Sequence, residues 1–255
     1  MKFKEFLNEN SYSDGNYKQL ITIDEAKKLL NIHCKNMDFN EPYWRGMSNG
    51  AASYILEGSK GNRKSINTSN HYTIIIDDIL QSKDKNYPLR SKSIICANNY
   101  NLNTAVQFGE KVYAIFPYDN TIIGATSKED IWFTSIKLGK FNGKLDVIND
   151  LFKFAGIEAT SIKDITHQIE LLFDKKPRDL DYLQKKLIKH FENKESIYDD
   201  LIKAYSPDSM NFTFGNSNII NKIKGPRELW FGGKCIAIEY NTFKELQSNG
   251  FKIGN

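Results

Sequence analysis

Three short stretches of this chain carry side chains that could do chemistry together. Trp44-Arg45-Gly46 sets a guanidinium beside a glycine, Arg90-Ser91-Lys92-Ser93 sets another beside two hydroxyls, and Arg227-Glu228 puts a carboxylate at the head of the apolar run Leu229-Trp230-Phe231. A planar guanidinium grips an anion with paired donors better than an ammonium does. A glycine beside it lets a phosphate or a ligand backbone come close. A carboxylate stabilises developing positive charge or takes a proton. Each element also has a plainer role: Arg45 as a surface ion-pair residue, Glu228 as a strand-edge glutamate paired with Arg227. Their order and their surroundings set them apart from chance.

The elements that must position these groups are partly marked by local signals. Thr22-Ile23-Asp24-Glu25 has the form of a capping box and opens a helix whose Ala26, Leu29, Leu30 and Ile32 face a core. Tyr43 to Gly46 reads as a short strand ending at a glycine. Residues 48 to 70, rich in Gly, Ser and Asn, read as a long irregular loop carrying Lys60, Arg63 and Lys64. The apolar Ile74-Ile75-Ile76 and a turn-like stretch from Gln81 to Arg90 follow. Ser91 to Trp132 reads as mainly strand, with a helix near Thr104 to Phe108.

From Gly143 to about Ser206 the period becomes helical. Val147, Ile148, Leu151 and Phe152, then Ile165, Ile169, Leu172 and Phe173, then Leu183, Leu187, Ile188 and Phe191 predict amphipathic helices separated at Gly156 and at Lys175–Arg178. Strand character returns at Met210–Phe214, and Thr242-Phe243-Lys244-Glu245 has the form of a second capping box opening a terminal helix.

The ordered set resembles ADP-ribosyltransferases of the Arg-Ser-Glu class. The likeness rests on Trp44-Arg45-Gly46, on Ser93-Ile94-Ile95-Cys96-Ala97-Asn98 followed by Thr104–Phe108 and the apolar Lys111–Pro117, and on Glu228–Phe231, Gly232-Gly233 and Cys235–Tyr240. It covers about residues 41 to 136 and 210 to 240. It implies an α+β fold: an ADP-ribosyltransferase-like split, strongly twisted, mainly antiparallel sheet with an N-terminal helix and an inserted helical subdomain. The expected layout is residues 1–142 for the first part of the core, 143–206 for the inserted helices and 207–255 for the rest of the core.

The resemblance also implies an activity. NAD is the co-substrate, with no metal; its nicotinamide–ribose bond is cleaved and ADP-ribose passes to a macromolecular acceptor, protein or nucleic acid, as in a toxin, effector or phage-encoded host modifier. Glu228 is the expected catalytic carboxylate, with Arg45 and Ser93 completing the catalytic set. Arg45, Gly46, Arg90, Ser91, Ser93, Asn98, Asn70 and Tyr72 are the expected NAD contacts. Tyr72, Tyr100 and Phe108 are alternatives for stacking on nicotinamide, and the loop over 48–70 either is a plain loop or folds over the dinucleotide. Two departures matter. Cys96-Ala97-Asn98 stands where the family has Ser-Thr-Ser, so the hydroxyl contact there falls to Ser93, Ser91 or the Asn98 amide, or is absent. Pro226 stands where arginine modifiers have a second glutamate and asparagine modifiers a glutamine, which leaves the acceptor open.

Composition bounds the alternatives. At 255 residues the chain can bury one sizeable core with an elaborate insertion. A mean hydropathy of −0.51, with no apolar run near the roughly 18 residues of a membrane span, makes a soluble, non-membrane monomer the expectation. The first segment lacks the pattern of a secretion signal, so a cytoplasmic place of action is expected. Three widely spaced cysteines, Cys34, Cys96 and Cys235, argue against a disulfide framework or a zinc site. A net charge of +4 neither demands nor excludes nucleic acid. Rival functions are NAD glycohydrolysis or RNA 2'-phosphotransfer on the same fold, and a non-catalytic nucleic-acid-binding module using Lys60, Arg63 and Lys64.

Overall fold

The computed structural model describes residues 17–48, 50–60, 71–98, 105, 109–127, 131, 135–158, 160–220, 225 and 227–254. Asn70, Tyr100, Phe108, Arg63, Lys64 and Pro226 lie outside the described residues. The strands are β1 Tyr17–Leu20, β2 Tyr43–Met47, β3 Ser53–Glu57, β4 Ile94–Ala97, β5 Lys111–Pro117, β6 Ile123–Ala125, β7 Ser135–Leu138, β8 Phe141–Lys144, β9 Thr213–Gly215, β10 Glu228–Phe231 and β11 Lys234–Glu239. The helices among the described residues are α1 Ile23–His33, α2 His71–Lys83, α3 Leu145–Phe154, α4 Ile162–Phe173, α5 Tyr182–Ile188, α6 Ile197–Ala204, α7 Ser217–Ile220 and α8 Tyr240–Ser248.

The chain forms two compact units, the first from residues 1–64, 87–129 and 213–255, the second from 65–86 and 130–212. The first unit is built on a nine-stranded antiparallel sheet in the order β1-β3-β11-β5-β2-β4-β10-β6-β9. Every residue of β10 and the run Tyr113–Pro117 of β5 are buried, so the central strands are covered on both faces. The core is aromatic: Phe39 stacks on Phe116 and meets Phe243 and Phe251, while Trp44 meets Phe243 edge-on. Burying each such ring contributes on the order of 1.5–3 kcal/mol.

Local chemistry sets the ends of these elements. Thr22 Oγ1 accepts from the Glu25 N–H at 3.2 Å and Glu25 Oε2 accepts from the Thr22 N–H at 2.8 Å, the capping box expected from the sequence. The second box does not form as read. Helix α8 starts three residues earlier, at Tyr240, because the Glu239 carboxylate at the end of β11 accepts from the Asn241 and Thr242 N–H groups. The stretch read as an irregular loop over 48–70 contains β3, whose ladder with β11 aligns Leu56 with Cys235 and Tyr54 with Ala237. Strand character near 210 is confined to Thr213–Gly215; Asn211 adopts a positive φ of 46° ahead of it.

In the second unit, α3 packs against α2 and α5, and α4 against α2, α5 and α6. Ile148, Leu151, Phe152, Ile165, Ile169, Leu187, Ile197 and Leu201 supply the buried stripes. The run Ile74–Ile76 belongs to α2, where Tyr72, Ile75, Ile76, Ile79 and Leu80 are buried at helical spacing, and the helix continues to Lys83 where turns were expected. Asp78 ties α2 to α4 by accepting from the Ile162 N–H at 3.0 Å. The β7–β8 hairpin turns at Gly139, φ +53°, where a Cβ would collide with the His190 carbonyl. No helix among the described residues is long and apolar enough to cross a membrane.

Candidate functional site

Three consecutive strands of the sheet, β2, β4 and β10, carry most of the chemistry singled out in the sequence. Trp44, Ala97 and Glu228 stand in one cross-strand row. Among the described residues the β2–β4 ladder is that single pair, whereas β2 pairs with β5 from Tyr43 to Met47. Beyond Trp44, therefore, β2 leaves β4. Arg45 fills the divergence: its Nη1 donates to the Ile95 carbonyl of β4, a bond that stands where the ladder would have continued. Arg45 as a whole is buried, at 8% exposure.

Glu228, the first residue of β10, is 5% exposed. Its Oε1 accepts from Arg90 Nε at 3.0 Å and from the Trp230 indole Nε1 at 2.7 Å. Alternation along the strand puts residues 228 and 230 on one face, which is why the indole reaches the carboxylate. Arg90 comes from a 3-10 turn, Arg90–Lys92, just before β4, and its guanidinium lies 6.0 Å from the Trp230 ring centroid. Two buried charges carry a desolvation penalty of several kcal/mol each, which their attraction offsets only with good geometry and further hydrogen bonds. The indole supplies one such bond. The ion-pair partner of Glu228 is thus Arg90 rather than Arg227, whose Nη1 donates to the Thr126 carbonyl at 2.9 Å.

The structure brings some expected contacts together and leaves others apart. Arg90 and Glu228 meet. Arg45 and Glu228 share the same stretch of sheet, but Arg45 follows Trp44, so its Cβ leaves the face opposite to that of Glu228. Ser93 lies at the far end of β4 from Glu228, since Ile94 pairs with Phe231 and Ala97 with Glu228. Its hydroxyl donates to the Leu89 carbonyl at 2.6 Å, closing the turn that presents Arg90. Ser91 lies in that same turn, half-buried. Both polar ends of the Asn98 amide bond the chain around Gly225 and Arg227. Gly46 pairs with Val112, and the close approach its neighbourhood permits is made by Gly109, where a Cβ would meet the Gly46–Met47 peptide at 2.6 Å. Tyr72 is buried in α2 of the helical unit, 3% exposed. Lys60 pairs with Glu57 at 3.0 Å.

Trp230 was not singled out in the sequence, although the alternation Glu228-x-Trp230 is a readable signal. The cysteines are free and buried, and Cys96 and Cys235 lie close enough to the Arg45 charge to feel it. Burial pushes the Cys96 thiol up to about 12 despite that guanidinium, so it is inert as a nucleophile. Among the described residues no group of three His, Cys, Asp or Glu side chains is arranged to hold a metal ion. Comparison of the chain with protein-family models, with curated proteins and with solved structures returns no match.

Proposed function

We propose that this chain is a NAD-dependent mono-ADP-ribosyltransferase, with Glu228 as its catalytic carboxylate and Arg90 beside it as its phosphate contact. One observation carries the reading: β4 and β10 are adjacent, so Arg90 and Glu228, far apart in sequence, meet as a buried ion pair at one place in the sheet. Charged side chains are seldom placed in a hydrophobic core without a task. A guanidinium beside a carboxylate is a set suited to a dinucleotide. The guanidinium matches a phosphate, and the carboxylate matches a ribose that becomes cationic.

The nicotinamide of NAD already bears positive charge, so no acid is needed to release it. As its bond to ribose lengthens, positive charge spreads over the sugar ring, as in glycoside transfer. Glu228 stabilises that charge and takes a proton from the acceptor. Arg90 and Trp230 fix the orientation of its carboxylate, so little reorganisation is needed when charge develops. Arg45, whose Cβ leaves the other face of the sheet, ties β2 to β4 where the two strands diverge.

The test is incubation of the purified chain with NAD labelled in its adenylate, with and without a cell lysate, followed by nicotinamide measurement and by protease or nuclease treatment of separate samples. Nicotinamide release with label bound to a macromolecule is expected, and the treatment that removes the label identifies the acceptor class. Release without bound label would mean hydrolysis, with water as acceptor. No release under either condition overturns the reading.

A further inference from the structure

Asn98 directly follows β4, opposite the segment that leads into Glu228. Its Nδ2 donates to the Gly225 carbonyl at 2.6 Å, and its Oδ1 accepts from the Arg227 N–H at 3.2 Å. Its own N–H donates to the Arg227 carbonyl at 3.2 Å. An asparagine amide offers one acceptor group and one donor group, and here each is used on the backbone of a different residue. Asn98 is 6% exposed and its two partners are half-buried, so these bonds are partly shielded from water. Gly225 adopts φ +86°, a left-handed conformation that strains any side chain, and the Asn98 donor holds the carbonyl of that turn. On the opposite flank the Thr126 N–H donates to the Glu228 carbonyl, and Thr126 accepts from Arg227. The head of β10 is therefore gripped from both neighbouring strands.

From this geometry we propose that Asn98 is a positioning residue: its amide fixes where β10 begins, and so where the Glu228 carboxylate points. The catalytic consequence rests on the transferase reading, but the clamp itself does not. Aspartate would lack the donor for Gly225, serine could not span both partners, and alanine would take the side-chain partner from a half-buried carbonyl and a half-buried N–H. A displacement of about 1 Å at a reacting group is enough to lower a rate on the order of a hundredfold.

The test uses the full chain and its Asn98→Ala and Asn98→Asp variants. Amide exchange followed by NMR reads the Arg227 N–H, and the Trp230 indole N–H resonance reports the carboxylate it bonds. Single-turnover nicotinamide release and NAD calorimetry read function. Slow Arg227 exchange is expected in the parent, rising about tenfold or more in Asn98→Ala together with a shifted indole resonance. Release should fall on the order of tenfold to a hundredfold while NAD affinity stays within about twofold, with Asn98→Asp, which keeps the acceptor, in between. Fast Arg227 exchange in the parent overturns the proposal without any variant, which covers the case of a variant that fails to fold. An unchanged release rate in a folded Asn98→Ala overturns it too, and a loss confined to NAD affinity reassigns Asn98 as a ligand contact. A parent that releases no nicotinamide defeats the transferase reading, while the exchange data still decide the clamp.

Discussion

The two units of this chain differ in how they hold charge: among the described residues a buried ion pair is found in the sheet unit, and the ion pairs of the helical unit lie at its surface. In the sheet unit, Arg45, Arg90 and Glu228 are buried, and the Arg90–Glu228 pair lies among Trp230 and its neighbours. In the helical unit the ion pairs Lys194–Asp174 and Arg178–Asp179 are exposed, and its buried polar groups include Thr166 and Asn149, which are neutral and bond within their own helices, beside one carboxylate, Asp77 of α2. Even its open recess of about 420 Å³ is lined by groups already engaged in local bonds: Asp164 with Thr160 and Ser161, Gln168 with Glu158. The helical unit shows the pattern of a stable carrier, in which surface pairs contribute little. The sheet unit accepts a desolvation cost at one place, and that is where function is to be sought.

The comparison breaks most visibly at Arg90. Arg90→Ala leaves the Glu228 carboxylate buried without its cation, and an overall loss of about 3–5 kcal/mol is expected by chemical denaturation. A loss no larger than that of a surface variant would show that the pair is hydrated in solution and would erase the contrast. Next in size is Trp230→Phe, which keeps the ring but removes the indole donor to a charged acceptor. About 1.5–3 kcal/mol should go, with nicotinamide release lowered more than NAD affinity.

What the sequence disclosed follows the same divide between near and distant contacts. The Thr22–Glu25 box, the two apolar strands β10 and β11 on either side of Gly232-Gly233 and the helices after Gly143 were legible because each is decided by neighbours in the chain, whereas the pairing of β10 with β4 and β6 and of β11 with β3 and β5 was not. Strand β3 was not, because its register is set by β11, which arrives almost at the end of the chain. Helix α2 was obscured by its β-branched Ile74-Ile75-Ile76 run, which packing resolves as helix. At the site, Arg90 and Glu228 were both singled out, but their pairing, 138 residues apart and set up by the β4–β10 ladder, carries no local signal. Asn98 was read as a ligand contact, because its backbone partners at Gly225 and Arg227 exist only in the folded sheet.

The helical unit supplies a smaller, pH-dependent effect. Burial holds the His71 and His190 imidazoles below the usual value of 6.5, so the unfolded chain binds more protons than the folded one as the solution becomes acidic. Their stabilising contribution is complete above about pH 6.5 and declines as pH falls below it. Melting curves between pH 8 and pH 5 should show a Tm lower by a few degrees at the acid end, with part of the slope removed in a His71→Gln/His190→Gln double variant. An unchanged slope would assign the acid loss to other groups. Smallest of all is Lys194→Ala, expected to leave Tm unchanged within the error of the melt, because its partner Asp174 is equally solvated.

The central claim is that the buried carboxylate of the sheet unit serves a cationic transition state. Single-turnover nicotinamide release by Glu228→Gln, beside calorimetry with NAD on the same preparation, tests it most directly. The substitution keeps the shape of the side chain and removes its charge. Release slowed on the order of a hundredfold or more, with NAD affinity changed by no more than a few-fold, is the predicted result. A folded Glu228→Gln protein that releases nicotinamide at the parent rate would contradict it.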